Sequence, residues 1–105
     1  MTDRRLLSQR RAAETFELRH RGQAVAVTVG FYSDGSVGEV FITGSKVGSE
    51  IEAVARDGAV LLSIAVQHHV PLTEMRNAIT RESDGTASTI IGAVLDRLVG
   101  EGSDG

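Results

Sequence analysis

Phe16 and Leu18 alternate with Glu17 and Arg19 over residues 15–19, the two-residue period of a strand with one wet face. Over residues 24–32, Val25, Val27, Val29 and Phe31 fall on one face, and Ala24, Ala26, Thr28 and Gly30 on the other. A strand with one large and one small face suits a sheet covered by helices on one side. His20-Arg21-Gly22-Gln23 reads as the turn between these strands. Ser33-Asp34-Gly35-Ser36 carries the Asp-Gly signal of a hairpin, so residues 37–43 form a third strand. Three consecutive strands joined by short turns predict an antiparallel meander.

The period then changes. Ser49 is the expected N-cap of a helix over residues 50–68, with Glu52 three residues on as its capping-box partner. Its inward stripe is read as Ile51, Val54, Ala55, Gly58, Leu61, Leu62, Ala65 and Val66. Gly58 lowers helix propensity by about 1 kcal/mol relative to Ala, so its presence predicts close backbone approach, here to the small-residue face of the sheet. Pro71 opens a short second helix with Leu72, Met75 and Ile79 inward. Asp84-Gly85 is a turn, and Thr86 or Ser88 caps a last helix with Ile90, Ile91, Val94, Leu95 and Leu98 facing in. The order β-β-β-α-α-α gives an α+β class, with a three-stranded antiparallel meander followed by three helices packed on one face.

At 105 residues the chain is long enough for one small domain and too short for two. The expected organisation is a basic N-terminal arm over residues 1–13, read as flexible or as a short helix, a domain over 14–99, and a flexible Gly-rich tail over 100–105. With 41% hydrophobic and 24% charged residues, the composition excludes disorder over most of the chain. There is no cysteine, which removes disulfides, thiolate metal sites and a cysteine nucleophile. No apolar run is long enough for a transmembrane helix, and the N-terminus lacks the apolar segment of a secretory signal, so a cytoplasmic location is expected. The net charge of −3 argues against general nucleic-acid binding, although six of the 11 basic residues fall within the first 21 positions. Aromatics at 4% offer little for base stacking.

Few residues point to chemistry. His68 and His69 are neighbours near the end of the long helix, where adjacent side chains diverge by about 100° and do not readily chelate one ion. They suit the negative end of the helix dipole instead. Glu50, Glu52 and Asp57 lie off the predicted apolar stripe and read as a solvated face. Glu39, inside the third strand, reads as partly buried or at an edge. Gly44, Ser45, Lys46, Gly48 and Ser49 form a strand-to-helix loop in which free N–H groups, a helix start and Lys46 favour an anion, without the spacing of a P-loop. Thr86 and Ser88 add hydroxyls ahead of the last helix. No metal set, cofactor fingerprint or nucleophile–base pair is visible.

Gly38-Glu39-Val40-Phe41-Ile42-Thr43-Gly44, then 51–63, His69-Val70-Pro71-Leu72, Gly85-Thr86-Ala87-Ser88 and Ile91-Gly92-Ala93-Val94-Leu95-Asp96, form ordered blocks that resemble the TSCPD domain. That domain closes the C-terminus of adenosylcobalamin-dependent, class II ribonucleotide reductases and also occurs as small free-standing proteins. Its namesake Gly-Thr-Ser-Cys-Pro-Asp is replaced here by Gly85-Thr86-Ala87-Ser88-Thr89-Ile90, with Ser88 in the cysteine position, so no cysteine-borne role carries over. The element order is also similar to the U-type iron–sulfur scaffold proteins, whose cluster chemistry the absence of soft ligands excludes.

The resemblance implies a non-catalytic accessory or interaction domain linked to deoxynucleotide synthesis, with a class II ribonucleotide reductase as partner and no cofactor of its own. The expected contact surface is Gly44, Ser45, Lys46, Gly48, Ser49, Thr86 and Ser88. Two other functions remain open: a small anion- or nucleotide-binding protein using the 44–49 loop, and a homo-oligomeric module joined through the first strand as an exposed edge.

Overall fold

The computed structural model describes residues 3–44 and 50–102, with side chains up to residue 100. The order is β1 (Ala13–His20), β2 (Gln23–Phe31), β3 (Val37–Gly44), α1 (Glu50–Gln67), α2 (Leu72–Ala78) and α3 (Ile90–Gly102). The strands form one antiparallel sheet in the order β1-β2-β3. The α+β meander followed by three helices is therefore the observed architecture.

Register follows the apolar alternation. Leu18 pairs with Val25, Phe16 with Val27, Val27 with Ile42, and Val29 with Val40. These residues share the face that α1 and α3 cover, and with Val94, Leu95, Ala55, Ala59 and Leu62 they make the core. The large face of β2 meets the helices. The small face, with Thr28 bonded to Thr15 across the sheet at 2.9 Å, lies opposite. Gly58 was expected against that small face. It sits instead against Ile91 of α3, where a Cβ would collide with the Ile91 side chain.

The long helix is rotated relative to the stripe read from its pattern. Ala55, Ala59 and Leu62 are buried, whereas Ile51, Val54 and Leu61 are more than half exposed. Glu52, expected on the solvated face, is only 7% exposed. The cause lies in β3, an edge strand whose outward-pointing backbone groups need partners. The Glu52 carboxylate accepts from Gly44 N–H at 3.0 Å. Ser63 Oγ accepts from Val40 N–H at 2.8 Å and lies 3.1 Å from the Val40 carbonyl. The Gln67 amide donates to the Gly38 carbonyl at 2.9 Å. A polar line on α1 thus closes the β3 edge, and that line turns part of the apolar surface outward.

The cap of α3 also differs from expectation. Thr89 Oγ1 accepts from Gly92 N–H at 3.0 Å, so Thr89, and neither Thr86 nor Ser88, caps α3. The expected cap of α1, Ser49, lies outside the described residues. α1 ends with Val70 N–H on the Ala65 carbonyl and His69 N–H on the Val66 carbonyl, a Schellman arrangement. His69 takes the left-handed position usually given to Gly, at φ +72°.

The N-terminal segment lies across the β2–β3 hairpin end of the sheet. Arg4 donates to the Gln67 side chain, and Arg5 N–H to the Gln67 carbonyl. Arg5 stacks over the Tyr32 ring at 3.7 Å, and Tyr32 OH donates to the Arg5 carbonyl. Arg11 pairs with Glu39, which is buried as its position inside β3 suggests.

Candidate functional site

Two places in the fold gather polar groups, one at each end of the sheet. The first holds the described part of the surface expected from sequence. Gly44 ends β3 and pairs with Val25 next to the β1–β2 turn. From that turn Arg21 reaches Glu82 at 3.1 Å, and Glu82 accepts from Ser88 Oγ. Gly44, Thr86 and Ser88 therefore belong to the same end of the molecule. Ser45, Lys46, Gly48 and Ser49 lie outside the described residues.

The hydroxyls of Thr86 and Ser88 have internal partners. Thr86 N–H and Oγ1 both donate to Asp84 Oδ1, at 2.9 and 2.7 Å, closing the turn around Gly85. Those bonds hold the Asp84 carboxyl below its ordinary pKa. The bond from Ser88, then Arg21, does the same for Glu82. The loop before α3 therefore presents two carboxylates that stay ionised to lower pH than free carboxyls, which disfavours an anion against Thr86 and Ser88. The Gly44 N–H is likewise taken, by Glu52. His20, at the end of β1, has a buried Nε2 without a hydrogen-bond partner.

The second place was not found from the sequence. At the hairpin end a cleft of about 710 Å³ opens between the last turns of α1 and α3. Val29, Phe31 and Leu98 supply apolar lining, while Arg5, Tyr32 and His69 add polar groups. Its size falls within the range of small-molecule sites. Arg5 is already engaged, by the Tyr32 ring and by Asp34 at 3.2 Å. His69 Nε2 lies 3.2 Å from the Asp3 carbonyl. Asp34, which accepts from both the hydroxyl and the N–H of Ser36, has its pKa lowered to about 2. The one signal in the sequence was the His68-His69 pair. The remaining lining comes from segments far apart in the chain, and no short motif reports it.

Among the described residues, no group of three or more His, Asp or Glu side chains is placed to hold a metal ion. None of the described helices is long and apolar enough to cross a membrane.

The profile of the TSCPD domain matches residues 4–101. Three curated relatives are vitamin B12-dependent ribonucleotide reductases. That of Agrobacterium fabrum is 33% identical over 78 residues, covering 74% of this chain and 6% of the reductase. That of Bradyrhizobium diazoefficiens is 32% identical over 80 residues, with coverages of 76% and 6%. That of Rhodopirellula baltica is 38% identical over 74 residues, with coverages of 70% and 7%. The chain thus spans only 6–7% of the length of the reductases it matches. No solved structure matches it significantly.

Proposed function

Because the chain belongs to the TSCPD domain family, we propose that it is an accessory domain that docks on a B12-dependent ribonucleotide reductase and acts in deoxynucleotide supply without catalysing the reduction itself. The observation that carries this reading is the extent of the match. A single folded unit, residues 4–101, corresponds to a small part of much longer reductase chains, where it is joined covalently to the rest. Such a unit would act by binding.

The proposed contact surface is the sheet end bearing Gly44, Thr86 and Ser88, together with Ser45, Lys46, Gly48 and Ser49. The alternative of anion or nucleotide binding at that end gains nothing from Glu82 and Asp84, which keep the neighbouring loop acidic.

The test is a titration of the labelled chain with purified B12-dependent reductase from the same host. Saturable binding is expected, weakened at least about tenfold by Lys46→Glu with an unchanged melting temperature. Absence of binding at high micromolar reductase would overturn the proposal. Binding unaffected by Lys46→Glu would move the contact elsewhere on the domain.

A further inference from the structure

The outward face of α1 is apolar, and apart from the Ile91 side chain of α3 against Gly58 no element covers it among the described residues. Val54 is 60% exposed and Leu61 67%, with Ile51 at 52%, Val60 at 55% and Ile64 at 39%. At about 100° per residue, Val54 and Leu61 stand at the centre of this face, with Ile51 and Ile64 on opposite flanks. Val60 lies about 180° from Ile51 and falls outside this face; the other four side chains offer on the order of 350 Å² of apolar surface, which is more than scattered surface hydrophobics present.

We propose that this face is the interface of a homodimer, in which α1 packs antiparallel against α1 of a second copy of this chain. Two such faces bury about 700 Å² of apolar surface, and with the roughly one-third polar share of a homodimer interface the total reaches the roughly 1,000 Å² where specific interfaces begin. The face is also complementary to itself under a two-fold axis, as an isologous contact requires. With the axis beside Asp57 and Gly58, Val54 meets Leu61 of the partner subunit. Ile51 then meets Ala65 of the partner subunit, and Ile64 meets Ala53 of the partner subunit, large side chain on small. Glu50 begins the helix and His68 follows its end on the same line of the surface, so each lies within reach of the other across the pair. Asp57 is the unfavourable member, since both copies of it come together at the rim.

The surface differs from the first strand, the edge suggested by sequence, and from the proposed reductase contact at the end of the sheet. It rests on neither.

The test is light scattering on the full chain from micromolar to near-millimolar concentration, for wild type, Leu61→Glu and Asp57→Asn. Leu61 is exposed, so its replacement leaves the fold intact, which circular dichroism verifies. A wild-type dimer, weakened at least about 100-fold by Leu61→Glu and tightened about threefold by Asp57→Asn, is expected. A wild type that stays monomeric throughout would overturn the proposal. So would a dimer that Leu61→Glu leaves intact. A monomer whose reductase binding is lost in Leu61→Glu would also overturn it, and would assign the face to the reductase.

Discussion

Asp96 on α3 accepts from Arg76 of α2 at 3.0 Å and from both terminal nitrogens of Arg81. This carboxylate ties the short second helix, which buries no residue fully, to the rest of the fold. The bond from Arg81, opposed by desolvation and aided by Arg76, holds the Asp96 pKa below its ordinary value. The sign of the linkage follows. A carboxyl whose folded pKa is depressed contributes stability that is complete above its unfolded value, near 3.9, and is lost as pH falls through the folded value. Because the group is about a third exposed, screening limits its worth, and Asp96→Ala should cost about 1 kcal/mol at neutral pH. Urea denaturation at pH 7 and pH 3 checks this, with the difference between variant and wild type shrinking at the lower pH. An equal difference at both values would show that Asp96 acts through packing alone.

At the scale of elements, the strands and helices were legible from periodicity because each carries a clean apolar set. The two hairpins were legible because Arg21-Gly22 and Asp34-Gly35 mark them. The rotation of α1 was not. Its sequence is apolar nearly all round, so Ile51, Val54 and Leu61 compete with Ala55, Ala59 and Leu62 for the inward position. The contest is decided by three polar side chains, Glu52, which reads as solvated in sequence, Ser63 and Gln67, whose partners are backbone groups of another element. No single-helix pattern contains that information. Ser63→Ala removes the partner of both polar groups of Val40 and should cost about 1–2 kcal/mol, well beyond what Ala gains in helix propensity. Thermal unfolding of the variant measures it, and a neutral outcome would mean that water takes over both bonds. The candidate site was legible in part. Gly44, Thr86 and Ser88 come to one end of the sheet, but the carboxylates that occupy the two hydroxyls are Asp84 and Glu82, residues whose role depends on how the loop turns.

At the scale of the whole molecule, the N-terminal segment joins the hairpin end of the sheet to the end of α1. Arg4 and Arg5 hold Gln67, Leu7 lies against the glycine at position 38, and Arg11 neutralises Glu39. A run of arginines gives no hint of this, because the basic residues that anchor it are indistinguishable in sequence from a solvated tail. Deleting residues 1–11 leaves the buried Glu39 carboxylate without its guanidinium and should cost about 2–4 kcal/mol. A drop in the denaturation midpoint checks this, and restoring only Glu39→Gln in the truncated chain should recover part of it. No recovery would assign the loss to Leu7 and the Tyr32 stack.

The polar line on α1 also acts as a ruler. From Glu52 to Gln67 the helix advances about 22 Å, and from Gly44 back to Gly38 the strand covers about 20 Å, so one length is laid against the other with its contacts in step. Sliding the helix by a single turn, about 5.4 Å, would break the Glu52–Gly44 match and at best exchange Ser63 for Gln67 at Val40, so the full set is met in one register. An edge strand ordinarily gives up its outer amide protons to solvent early, through local fraying. Here the amides of Val40 and Gly44 can open only when α1 lifts as a whole, so they should be among the slowest in the sheet to exchange.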